Sequence, residues 1–284
     1  MGRRSSKSVP RFLRLACVVL EASGVVAVSK WTNRFDIVWL RASAELHRDV
    51  TRTYLGILWW VIEPLLYMTA FYLIFALGIR GGEGGGGFVG FLLAGLVVWK
   101  WFSTTVIQGA GSLLANRGLM QQVYLPKVLL PLIPVTSNTL KFLLVLVLLL
   151  VYVWIFQRPP GWDWLALVPV LLAALVLVTG CTLFSAALVP FAEDLRMLIN
   201  NGMLLLMFLS GVFFNVSEFP EGVRGWFYLN PLVGLLEAVR AVLLSPGLPD
   251  WWHVAYAALF GGTLGLFGIV VLVRFDRVYP KRVA

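Results

Sequence analysis

The sequence predicts an all-α integral membrane protein with six spanning helices, and three observations lead there. Its mean hydropathy is +0.86. Its 284 residues are 60% hydrophobic and only 13% charged, more apolar surface than a soluble domain of that length can hide from water. The apolar residues fall in long runs rather than in the alternating stretches of about ten residues that build a spanning barrel strand, so the spans are helical.

Six runs are long enough to cross a bilayer, which takes about 20 residues at ~1.5 Å each. They lie at 57 to 79, 88 to 109, 128 to 156, 164 to 190, 197 to 214 and 253 to 273. An even number of crossings returns both termini to one side, and lysine and arginine identify it. Ten precede the first span: Arg3, Arg4, Lys7, Arg11, Arg14, Lys30, Arg34, Arg41, Arg48 and Arg52. The loop after span two adds Arg117 and Lys127, the loop after span four adds Arg196, and the tail adds Arg274, Arg277, Lys281 and Arg282. The opposite loops hold Arg80, Arg158, Arg224 and Arg240, with Lys100 and Lys141 left inside spans. Positive charge stays cytoplasmic, so both termini are expected in the cytoplasm. The formal charge of +9 is mostly this bias and calls for no nucleic acid.

Residues 1–30 read as an N-terminal cytoplasmic segment. Their basic start and apolar middle suggest a signal peptide, but Glu21 interrupts the apolar run and no clean cleavage site follows, so retention is expected. Residues 31–56 predict an amphipathic interfacial helix. Phe35, Val38, Trp39, Ala42, Leu46, Val50 and Tyr54 recur at helical spacing, while Arg41, Glu45, Arg48 and Arg52 project from the other side. Simple anchoring to anionic lipid explains this helix equally well. Gly56 permits a turn into the membrane, and Pro64 withholds a backbone donor inside span one, which predicts a kink.

The six-span domain runs over 57–274, with 275–284 as a cytoplasmic tail. Within it, GGEGGGG (81–87) lacks the Lys-Ser/Thr of a phosphate loop and reads as a flexible outward linker. The outward connection 215–252 contains an apolar run, Leu232 to Leu244, too short to span. Glu237 and Arg240 within it stand at i,i+3, able to neutralise one another. A break at Asn230-Pro231 predicts two short helices forming a re-entrant outward hairpin; an amphipathic helix on the outer surface remains the alternative.

Little in the chain suggests chemistry. Cys17 and Cys181 share no metal-ligand spacing with His47 or His253 and read as small apolar fillers. No Ser-His-Asp grouping, zinc-protease motif or paired carboxylates in a cleft appear, so a non-catalytic protein is expected. An ion-coupled carrier needs ionisable groups at mid-membrane. Lys141, Lys100 and Glu63 are the candidates, too few for a proton relay and able to snorkel or pair instead.

The segments RDVTRTYLGILWWVIEP (48–64), FLLAGLVVWKWF (91–102), NRGLMQQVYLPKVLLP (116–131), EDLR (193–196), SGVFFNVSEFPEGVRGWFYLNP (210–231) and EAVRAVLL (237–244) stand in this order. In order, spacing and topology the chain, from about residue 28 onward, resembles the membrane subunit of ABC-2-type polysaccharide exporters, the group of permeases for O-antigen, capsule and teichoic acid. It departs from that pattern at Ser210-Gly211-Val212, where Ser-Pro-Val is frequent, at Lys141, where an acidic residue is frequent, and at Phe191-Ala192-Glu193, where a more basic stretch is frequent. The resemblance implies a homodimer in a bacterial inner membrane, joined to two copies of a separate ABC ATPase. ATP and Mg would be bound by that ATPase, leaving this chain without a cofactor. The cargo implied is a polyprenyl-diphosphate-linked glycan moved outward. An ABC-2 permease for a drug or simple lipid shares the layout, and a secondary carrier is the reading from another class.

Site residues follow from this frame. The loop 112–127 carries a short apolar face, Leu119, Met120, Val123 and Tyr124, and the resemblance implies that this loop couples to the ATPase; a surface helix resting on headgroups is the alternative. Trp60, Tyr67, Phe71 and Phe75 share one face of span one with Pro64, and Met203, Met207, Gly211 and Phe214 one face of span five. The resemblance sets these spans beside the conduit, where the aromatics, Phe214 included, could receive the C–H faces of sugars; ordinary packing or lipid contact also explains them. Arg48 and Arg52, one turn apart, are candidates for the cargo's diphosphate, and retention of charge on the inner side also explains them.

Overall fold

The computed structural model of the protein describes residues 32–52, 54–56, 58–73, 85–122, 125–245 and 247–279. Residues Val38–Ala284 form one compact unit; of the other, Met1–Ile37, only the first turns of a helix are described. Among the described residues there is helix and no strand. The helices are α1 (Thr32–Arg52), α2 (Leu58–Tyr72), α3 (Gly85–Ala110), α4 (Ser112–Ala115), α5 (Arg117–Gln122), α6 (Leu129–Phe156), α7 (Leu167–Leu188), α8 (Asp194–Leu209), α9 (Glu221–Tyr228), α10 (Pro231–Leu244) and α11 (Trp251–Arg274).

Helix α3 is the hub. Its sequence is apolar all round, as an interior helix requires, and Leu92, Leu93, Ala94, Leu96, Val97, Val98, Trp99, Trp101 and Phe102 are all buried. It starts at Gly85, inside the glycine run expected as linker. Helix α6 has no exposed residue from Leu129 to Lys141, and from Phe142 onward it is buried on one stripe only, Phe142, Leu146, Leu149 and Val153, whose spacing of three to four residues keeps one face toward the core. Its other face bares Leu143, Leu144, Val147, Leu148, Val151, Trp154 and Ile155, the surface that lipid suits.

Helices α7 and α11 make the closest seam. A Cβ added to Gly180 would lie 1.9 Å from the Gly261 carbonyl oxygen, and one added to Gly261 would lie 2.4 Å from the Leu177 Cα. Small residues let the two backbones touch, which is how membrane helices gain packing without a hydrophobic drive between them. Beyond α11, Tyr279 is fully buried and donates to the Ala187 carbonyl at 3.0 Å, securing Phe275–Tyr279 to the end of α7. Burial pushes its phenol up to about 12.

Four helical stretches are long and apolar enough to cross a membrane: Gly87–Ala110, Leu129–Phe156, Trp162–Phe191 and Trp251–Arg274. The pair α9–α10, bent by 100°, makes a fifth if counted as one span. These match sequence runs two, three, four and six within a few residues. For run one, α2 covers 15 residues and 74–79 lie outside the described residues. For run five, α8 covers 16 residues and stops at Leu209, five short of the expected end. The expected break at Asn230-Pro231 is observed: Asn230 Oδ1 accepts from the Leu232 amide at 3.1 Å as N-cap, and Pro231 occupies the first turn. Helix α10 then enters the interior, where eleven of its residues are buried.

Candidate functional site

Four elements converge on a cavity of about 310 Å³ whose lining includes Asp49 of α1, Trp60 and Glu63 of α2, Lys100, Thr104 and Gln108 of α3, and Asn138 and Lys141 of α6. The chain turns from α1 to α2 through Gly56, which takes φ +50° and would be strained with any side chain. That turn lays α2 against α3 and brings two carboxylates onto two lysines. Lys100 Nζ lies 2.6 Å from Glu63 Oε1, and Lys141 Nζ lies 2.6 Å from Asp49 Oδ2. Lys141 also stands 5.5 Å from the centre of the Trp60 ring. Also in the lining, Asn138 Nδ2 donates to Gln108 Oε1 at 2.8 Å.

Charged groups at such a position persist only when matched, and here each lysine has its own acid. The two lysines found inside spans are therefore partners of the α1–α2 arm, and Lys100 and Glu63 pair with one another. Asp49, Gln108 and Asn138 were missed from sequence. The usable signal was the unmatched lysine at 141, which demanded an acid from a neighbouring element. The structure also corrects the face of α1. Val38 and Ala42 are buried as expected, but Trp39 is exposed and Glu45, expected outward beside Arg41, accepts from Ser137 Oγ at 3.1 Å. Polar positions on α6 draw acids inward, so this helix packs by charge as well as by apolar pattern. Arg48 is exposed.

A second constellation lies where α8 ends. Ser210 Oγ donates back to the Leu206 carbonyl at 2.6 Å, and Gly211 takes φ +68°. Proline, held near −65°, cannot adopt that conformation, so the departure at 211 matches the local backbone. Breaking the helix strands carbonyls, and Arg240 satisfies them. Its Nη1 donates to Gly211 O at 2.8 Å, Nη2 to Val212 O at 2.8 Å and Nε to Phe91 O at 3.2 Å, with the guanidinium 3.5 Å from the Phe91 ring centre. Gly95 leaves room for it: a Cβ there would lie 2.4 Å from Nη2.

The expected Glu237–Arg240 pairing is thereby replaced, because the stranded carbonyls lie on the α3 side while Glu237 faces α9 and accepts from Tyr228 at 2.7 Å. Arg158 does the same for the end of α10, donating to Val242 and Leu243 carbonyls and pairing with Asp163. Asn230 ties the hairpin to this joint, its Nδ2 donating to Ser210 Oγ at 2.9 Å.

The aromatic residues divide. Trp60 lines the polar cavity. Phe214 lies past the end of α8 and packs edge-on to Phe219 and Phe227, at 5.2 and 5.6 Å between ring centres, so it belongs to the hairpin's aromatic cluster rather than to a stripe along span five. Such a stripe assumed an unbroken helix, which Gly211 ends. The side chains of Arg52, Tyr67, Phe71, Phe75, Val123 and Tyr124 lie outside the described residues. In the loop, Leu119 is half-buried but Met120 is buried, because α5 turns it inward; among the described side chains Ala115, Arg117, Gly118 and Gln121 are the exposed positions. The expected apolar docking face therefore loses Met120.

Helix α8 has no buried residue, and α2 has none among its described side chains. It exposes Met197, Leu198, Leu204, Leu205, Phe208 and Leu209 together with Asn200 and Asn201. Between α8 and the hairpin lies a mainly apolar cavity of about 650 Å³, bordered by Leu206, Leu209, Trp226 and Phe227. Among the described residues no cluster of three or more His, Cys, Asp or Glu side chains could hold a metal ion.

Comparison with known proteins matches residues 38–244 to the ABC-2 type transporter family. The chain is 31% identical over 208 residues to the O-antigen export system permease protein RfbA of Myxococcus xanthus, covering 72% of this chain and 79% of the relative. It is 23% identical over 238 residues to RfbA of Klebsiella pneumoniae, covering 84% and 91%. It is also 24% identical over 245 residues to the capsule polysaccharide export inner-membrane protein CtrC of Neisseria meningitidis, covering 82% and 90%. The matched region takes in α1 from Val38, the ion-paired cavity, the joint at Gly211 and all of α10, and the chain belongs to the ABC-2 type transporter family.

Proposed function

We propose that the chain is the permease subunit of an ATP-driven exporter that moves a lipid-diphosphate-linked polysaccharide, of the O-antigen or capsule kind, from the cytoplasmic to the outer side of a bacterial inner membrane. The observation that carries this is the alignment of most of this chain with most of three permeases named for O-antigen or capsule polysaccharide export. The chain acts as a homodimer and is driven by two copies of a separate ABC ATPase, which bind ATP and Mg. Each chain crosses the membrane six times with both termini inside, α2 and α8 contributing the first and fifth crossings. The bias of lysine and arginine supports that orientation.

Helix α1 lies along the cytoplasmic surface, and α9–α10 forms a re-entrant outward hairpin. The 100° bend and the burial of α10 favour the hairpin over a helix resting on the outer surface. Helix α8, unburied and carrying two exposed asparagines, faces a second copy and the cargo's path; amides facing lipid alone would be costly. The aromatic residues of span one, Trp60 at its cytoplasmic end and then Tyr67, Phe71 and Phe75, are the candidates to meet the glycan. Arg48 and Arg52 meet the diphosphate, and the 112–127 loop, with Leu119, Val123 and Tyr124, grips the ATPase. Depletion of this protein in its native cell tests the function: a lipid-linked glycan accumulates on the cytoplasmic face. Absence of any such glycan refutes it.

A further inference from the structure

We propose that the ion-paired cavity between the α1–α2 arm and the α3–α6 core is a binding site for the headgroup of a zwitterionic aminophospholipid, bearing one phosphate and one primary ammonium. Three observations lead to it. The first is chemical. The core side supplies two cations, Lys100 and Lys141, and the arm supplies two anions, Glu63 and Asp49, all reaching the same 310 Å³ space. The four charges sum to zero, so a ligand of zero net charge enters without leaving an uncompensated charge. A headgroup with phosphate toward the lysines and ammonium toward the carboxylates complements both walls at once. A purely anionic headgroup meets two carboxylates held 2.6 Å from the lysines it needs. A quaternary ammonium has no N–H to give those carboxylates, so the primary amine is preferred.

The second observation is depth. No residue of α6 from Leu129 to Lys141 is exposed, and bare apolar surface begins at Leu143 and continues to Phe156. On α2 the exposed apolar residues begin at Leu58. Lipid tails cover bare apolar surface, so headgroups of the adjoining leaflet stand at the level of Lys141 and Asp49, the mouth of the cavity. Trp60 sits at that rim, where indoles favour the interface. The third is access. The side chains of Lys100, Glu63 and Asp49 are each about a third or more exposed, while Lys141 is 16% exposed, so three of the four groups can be reached from outside. Gln108 and Asn138, also in the lining, are hydrogen-bonded to one another.

The site does not depend on what the exporter carries, so its test is separate from the depletion test. The purified full chain, together with its associated ATPase, is delipidated in detergent and titrated with phosphatidylethanolamine, phosphatidylcholine or phosphatidylglycerol of identical acyl chains. Lipid retention is read by native mass spectrometry. Phosphatidylethanolamine is expected to be retained about tenfold more tightly than phosphatidylglycerol, with phosphatidylcholine between them. In a Lys141→Gln, Glu63→Gln variant that preference is expected to vanish while assembly persists. The exchange Lys100→Glu with Glu63→Lys, which keeps an ion pair but puts one cation and one anion on each wall, is expected to lose the preference as well. Equal or tighter binding of phosphatidylglycerol to the unmodified protein overturns the proposal, and so does a preference unchanged in the double variant. Tighter binding of a polyprenyl diphosphate, competing with phosphatidylethanolamine, overturns it as well, since the cavity would then serve the cargo. The wild-type titration decides the matter even if the double variant fails to fold.

Discussion

The α7–α11 seam and the α1–α2 arm are held by opposite means. At the seam, backbones meet through Gly180 and Gly261 with no charged group involved. At the arm, α1 and α2 reach the core through Asp49–Lys141, Glu63–Lys100 and Glu45–Ser137 across a cavity. The first kind of contact is rigid, because shape complementarity has one solution. The second can be exchanged, because an ion pair can be replaced by a ligand or water at modest cost. A transporter needs both, a frame that does not yield and a margin that does.

The largest effect that separates the two comes from Gly261→Leu. A side chain there meets the α7 backbone, and a loss of about 3 kcal/mol or more is expected, read as failure to elute as a monodisperse peak in detergent. Near-normal elution would mean the seam is looser than the geometry requires. Next comes Arg240→Leu, which orphans the carbonyls of Gly211 and Val212 and removes the extra bond to the helical Phe91 carbonyl; each orphaned buried acceptor costs about 1–3 kcal/mol. A clear drop in thermal midpoint is expected, with Arg240→Lys recovering only part of it because one ammonium cannot span the same fork. Lys141→Gln and Lys100→Gln act on the arm alone, at about 1 kcal/mol each. Their expected signature is faster proteolysis near residues 48–57 with the global midpoint nearly unchanged. Smallest in stability is Arg48→Gln with Arg52→Gln, within about 0.5 kcal/mol. Under the proposed function these two changes reduce export while the ATPase still copurifies, and unchanged export removes them from the mechanism.

The frame was far more legible in the sequence than the margin. Hydropathy marks α3, α6, α7 and α11 because burial and lipid contact both demand apolar residues. The cap at Asn230-Pro231 and the turn at Gly56 announce themselves by residue type. What could not be read locally were the pairings across long stretches of chain. Asp49 meets Lys141 and Arg240 meets Gly211 only once the helices are assembled, and nothing at i,i+3 or i,i+4 signals either. The Glu237–Arg240 expectation failed for this reason: a local partner was available, but a buried set of carbonyls had the stronger need. Phe214 failed similarly, since helical periodicity was carried through a residue with positive φ.

Under the proposed function, α8 packs against a second copy of this chain. A cysteine scan of α8 from Met197 to Leu209, with Cys17 and Cys181 replaced, followed by oxidation in native membranes, tests it most directly. Disulfide-linked pairs are expected at positions recurring every three to four residues along α8, and none at Leu266 or Phe267, which stand exposed on α11. Links at Leu266 or Phe267 with none along α8 would contradict it.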